Sequence, residues 1–203
     1  MADLRTAFAD AAAYLVEVAD RIPEDAWEGP GLGEWTVREL VGHASRALST
    51  VPAYLAVPVQ RVELPTAVEY IRRALTAPDA DALIAERGRQ AAAALGDDPV
   101  ASLRSLMAKA IVAVGDAPGG ALVGTPFGGM RLSDYLHTRV FELTVHGLDV
   151  AAATGVEAAP PSNAAAVALH LVAELAVEPA LAGPLLLAAT GRGPLPLGFS
   201  VLR

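Results

Sequence analysis

The chain has 203 residues, no cysteine, a formal net charge of −8 and a mean hydropathy of +0.40. Its length suits one domain with a real core, and the missing cysteines exclude disulfides, thiolate metal sites and a protein-borne thiol nucleophile. The acidic balance and the lack of any basic run exclude a nucleic-acid footprint, and the most apolar tracts meet His or Glu well before the roughly 20 residues that a membrane helix needs.

The N-terminus carries acids where an export signal needs basic residues, so a cytoplasmic location is expected. Leu4, Phe8, Ala12, Leu15, Ala19 and Ile22 recur at helical spacing, predicting an amphipathic helix that ends before Pro23. Residues 29–35 (GPGLGEW) read as a loop. Thr36 with Glu39 three residues later is a capping box. It opens a helix whose buried stripe is Val37, Leu40, Val41, Ala44 and Leu48, with Trp35 as a hydrophobic staple ahead of the cap. Residues 66–77 and 79–95 also read as helix, and Pro99 sits where a further helix favours it, near the start. Residues 115–136 are Gly-rich with short apolar runs, which predicts a loop or small hairpin near 120–132. Ser133 or Asp134 then caps a long helix that ends at Ala153-Thr154-Gly155. Another helix starts near Ser162 or Asn163 and carries His170 into the core or an interface. The last stretch, 181–203, has the prolines, glycines and alternation of an extended tail packed on the rest.

The long helix holds the chemistry. Positions four apart on a helix differ by about 40° and face one way. Glu142 and His146 have that spacing, and Tyr135, Arg139 and Asp149 share their stripe. An apolar stripe of Leu136, Val140, Leu143 and Val150 runs beside it, which puts the polar groups at a cleft. Glu and His one turn apart converge on a single divalent ion, and a third ligand has to come from elsewhere. The strong candidate is His43, flanked by the small residues Gly42 and Ala44. Two histidines and one carboxylate leave coordination positions open, the mark of a catalytic site. Asp149 and Arg139 would stand behind the ligands, orienting an imidazole or steadying the carboxylate, with Arg139 bracing Glu142. His137 lies nine residues before His146, on the opposite face, and is excluded from the set. No nucleophile motif, phosphate loop or dinucleotide fingerprint is present.

"GEWTVRELVGH" followed about a hundred residues later by "DYLHTRVFELTVHGLDVA" resembles the mycothiol-dependent maleylpyruvate isomerase family of the DinB-like superfamily. The similarity extends over most of the chain, including the ending "TGRGPLPLGFSVL". It implies a mainly α fold, an up-down four-helix bundle over residues 1–180 with extra short helices and small extended elements near 120–132 and in the 181–203 tail. It also implies a divalent metal, usually zinc, whose family ligands fall on His43, Glu142 and His146, and it implies mycothiol as the thiol cofactor. The arginine- and alanine-heavy composition suits the GC-rich actinobacteria that make that thiol. The isomerase itself has a larger C-terminal part that supplies an arginine. Here the tail offers only Arg192 besides the terminal Arg203.

The leading expectation is thus a metal-assisted isomerase or S-transferase acting on a small electrophile. Nickel, iron or manganese would suit the same ligands, and a homodimer fits so apolar a helical surface. Two other readings stay open: a hydrolase using metal-bound water, and a non-catalytic metal-binding or regulatory bundle.

Overall fold

The computed structural model describes residues 3–202. Several of its helices begin where short polar side chains satisfy their first N–H groups. Asp3 caps α1 (Leu4–Asp20) by accepting from Arg5 N. Thr36 and Glu39 close the expected capping box on α2 (Val37–Leu55). Thr66 caps α3 (Ala67–Leu75), α4 spans Ala80–Ala94, and Asp98 caps α5 (Pro99–Asp116) with proline in its first turn. Leu122–Thr125 and Gly128–Arg131 form an antiparallel hairpin, β1 and β2, with Leu122 opposite Arg131.

The hairpin leads straight into α6 (Leu132–Thr154). Neither Ser133 nor Asp134 caps this helix. It starts at Leu132, whose N–H is already taken by Ala121 O at 2.8 Å, so the hairpin backbone does the capping. Gly155, at φ 70°, stops it as expected. Helix α7 (Ser162–Leu175) follows, then α8 (Pro179–Ala189). The tail is therefore helical as far as Ala189, not extended from 181. Apolar residues and a Pro in the first turn favour helix there, and Gly191 at φ 71° ends the segment.

The core forms because α1 and α2 each pack against both α5 and α6, a four-helix arrangement. Phe8, Leu15, Leu40, Leu48, Leu103 and Leu143 are completely buried at its centre. Helix α7 covers α1 and α6, α4 lies along α2, and α3 bridges α6 and α7. Gly42 permits the α2–α4 contact, since a Cβ there would strike the Ala92 backbone. Among the described residues no helix is long and apolar enough to cross a membrane.

Candidate metal centre

Helix α6 presents Glu142, His146 and Asp149 in successive turns of one face, and α2, packed against it, brings His43 to the same place. Glu142 Oε2 lies 3.1 Å from His146 Nε2 and 3.8 Å from His43 Nε2. One donor atom from each of the three lies within 4.8 Å of the others. Donors gripping one ion at about 2.1 Å with tetrahedral angles stand roughly 3.4 Å from each other. The observed separations straddle that value, so the set fits a divalent ion with little movement.

The surroundings orient each ligand. Asp149 Oδ2 sits 3.0 Å from His146 Nδ1, which holds the ring with Nε2 facing Glu142. Burial presses the His146 ring downward, but hydrogen bonds and charge from Asp149 and Glu142 prevail and raise its pKa to about 9. Burial likewise pushes the Glu142 carboxyl up, yet hydrogen bonds to His146 and His43 and the nearby positive charges hold it well below the usual carboxylate range. His43 goes the other way. Burial, joined by the charges of His146 and Arg46, lowers its pKa against the pull of Glu142, so its ring favours the neutral form. Its Nδ1 is buried without a hydrogen-bond partner, leaving Nε2, toward Glu142, as its working side.

Trp35 does more than staple the cap. Its ring lies against His43 with centroids 4.6 Å apart, and His43 meets His146 edge-on at 4.7 Å and 87°. Gly88 of α4 makes room for this stack, because a Cβ there would stand 3.1 Å from Trp35 Cζ2.

Arg139 does not brace Glu142 by contact. Its Nε donates to Thr138 Oγ1 at 3.0 Å, and its guanidinium sits 4.7 Å from the Tyr135 ring centroid and 5.7 Å from that of Tyr70. It acts on Glu142 through charge. Tyr135, also on the polar stripe, is turned into the core, where its hydroxyl donates to Thr50 Oγ1 at 2.7 Å. His137 is satisfied by Ser133 O at 2.9 Å and stays outside the site. His170 is exposed opposite Glu174, not packed in the core, because α7 turns it away from α1 and α6. Arg192 is exposed as well and reaches only Thr190 O.

The three ligands open into a cleft of about 280 Å³, whose far walls come from α3 and α4. Arg46 and Arg87, not singled out in the sequence, line it, as does Leu202 from the tail. Arg46 follows His43 by three residues and so shares its face, a signal available in the sequence. Arg87 arrives only through the packing of α4, which periodicity does not reveal.

Residues 3–151 match the family model of the mycothiol maleylpyruvate isomerase N-terminal domain, and the chain belongs to that family. The matched region holds His43, Glu142 and His146. No curated protein and no solved structure matches the chain.

Proposed function

We propose that this member of the mycothiol maleylpyruvate isomerase family is an enzyme in which His43, Glu142 and His146 hold one divalent ion. A low-molecular-weight thiol, mycothiol, adds there to a small electrophilic substrate in an isomerisation or S-transfer. The observation that carries the reading is the meeting of His43 Nε2 with the Glu142–His146 pair across two helices. The family match supports it. When bound, a divalent ion supplies Lewis acidity that ionises a thiol whose ordinary pKa is about 8.5.

The chain's own residues set the stage for that chemistry. Asp149 accepts a hydrogen bond from His146 Nδ1–H, which would leave Nε2 free to hold the ion. His43, already favouring the neutral form, needs no proton removed. Tyr70 and Tyr135 hold Arg139 in place beside Glu142, which keeps a positive charge behind the carboxylate.

Two measurements test this. Elemental analysis of the purified protein should find about one divalent ion per chain, falling sharply in His43→Ala, Glu142→Ala and His146→Ala. Turnover of a small electrophile by the metal-loaded protein should require added mycothiol. Equal rates without the thiol would overturn the thiol chemistry, and less than half an ion per chain, unchanged by the alanine variants, would overturn the metal site.

A further inference from the structure

We infer that the cleft takes an amphiphilic organic anion whose carboxylate is received by Arg46 and Arg87 and whose apolar body lies on α3 and α4. The inference rests on reading this cleft as the working site, and it adds a substrate class to that reading.

The first ground is charge. The chain is acidic overall, at −8, yet the charged residues lining the cleft are Arg46, Arg87 and Arg139 against the single acid Glu142. A positive recess in an acidic protein focuses anions on itself. Several arginines elsewhere have acidic partners: Arg38 pairs with Glu28, Arg72 with Glu178 and Arg104 with Asp20. Arg139 is held by Thr138 and two tyrosine rings. Arg46 and Arg87 are half-buried and have no acid within ion-pair distance among the described residues. A half-buried guanidinium without a partner carries a desolvation cost that a carboxylate relieves with paired, charge-assisted hydrogen bonds.

The second ground is the apolar lining. Ile71 and Leu75 of α3 and Leu83 and Ile84 of α4 face the same space, with Leu75 and Leu83 left 39% and 45% exposed. Large apolar side chains at the rim of a positive cleft suit a ligand with an apolar body joined to its charge. The volume, about 280 Å³, is near the lower end of small-molecule sites, roughly 300–1,000 Å³. That admits an arylalkyl acid and not a long lipid. The same apolar lining disfavours a phosphate dianion, whose desolvation is costlier than that of a carboxylate monoanion.

The test is calorimetric binding of 3-phenylpropionate and of its uncharged amide to the full chain, with metal content measured on the same samples. The acid should bind and the amide should bind at least about tenfold more weakly, the value expected for losing a charged hydrogen-bonded contact. Arg46→Gln and Arg87→Gln should each weaken the acid by about tenfold while leaving the amide and the metal content unchanged. Equal binding of acid and amide to the wild-type chain would overturn the inference without recourse to any variant. So would no binding of the acid, or wild-type affinity in both arginine variants with loss only on chelation, which would send the carboxylate to the ion. Arginine-dependent binding in a protein devoid of metal would uphold the anion site and sink the metal reading, so the two fail separately.

Discussion

Gly42→Ala tests how α4 is seated against the helix that carries His43. An alanine Cβ at this position would stand 2.5 Å from Ala92 Cα and 2.7 Å from Ala92 Cβ. Carbon atoms rest comfortably at about 3.5–4.0 Å, so α2 and α4 must part by about 1 Å. The obstacle is main chain on both sides, and no rotamer change relieves it. Overpacking of this kind costs about 1–3 kcal/mol, while replacing a helical glycine by alanine returns about 1 kcal/mol. The net loss is about 0–2 kcal/mol, and at roughly 2–4 °C per kcal/mol for a chain of this size Tm falls by up to about 8 °C. Gly115→Ala is the control: it lies in α5 with nothing within 4 Å of its would-be Cβ, so it should gain about 0.5–1 kcal/mol and raise Tm. Thermal unfolding followed by circular dichroism reads both. A Gly42→Ala variant as stable as Gly115→Ala would refute the close approach of α2 and α4, and with it the seating of Gly88 beneath Trp35 and His43.

Other outcomes follow from the same geometry. Asp149→Ala should lower metal affinity by about 10–100-fold in a chelator competition, because His146 loses the acceptor that orients its ring. In the metal-free protein His146 titrates at about 9, above its ordinary value near 6.5. The stability it contributes is therefore complete below about pH 6.5 and is lost as pH rises through about 9. Urea midpoints of the chelated protein should fall between pH 7 and 9.5, and His146→Ala should flatten that slope. Glu142 has the opposite sign: its contribution is present above the ordinary carboxylate range and is lost on acidification. Tyr135→Phe removes a buried hydrogen bond to Thr50 and should cost about 1 kcal/mol in urea unfolding with metal content unchanged.

Which of these features could be read from the sequence depends on the range of the interaction behind them. The capping box at Thr36 and Glu39 and the Glu142–His146–Asp149 face are set by helical geometry within a few residues, and both stand as expected. The convergence of His43 was also legible, through the paired motifs on α2 and α6 and the family they resemble. What escaped is decided between elements. Gly42 reads as space left for a metal, whereas its missing Cβ makes room for the Ala92 backbone. Arg139 reads as a brace for Glu142 because the two lie one turn apart, but Thr138 and the Tyr135 ring on its own helix hold the guanidinium, with the Tyr70 ring of α3 beside them. The start of α6 was misplaced because Leu132 finds its acceptor in Ala121, across a hairpin whose pairing local signals do not specify. Residues 181–203 read as extended because proline and glycine weigh heavily in local patterns, although proline is welcome in a first turn and α8 runs to Ala189.

The division of labour between the two helices bears on how the site is held. Helix α6 alone brings Glu142, His146 and Asp149 together, so a polar triad exists wherever that helix forms. The third ligand exists only once α2 has packed on α6, and that contact belongs to the four-helix core. An ion using all three therefore binds the folded bundle and not the unfolded chain, and its binding energy adds to the stability of the fold. Arg46 lies one turn beyond His43 on the same helix, so the packing that completes the ligand set also delivers a guanidinium to the cleft. A shift of α2 that removed one would remove the other. Glutamine at position 46 separates them, because it leaves the packing of the helix intact and takes away only the charge.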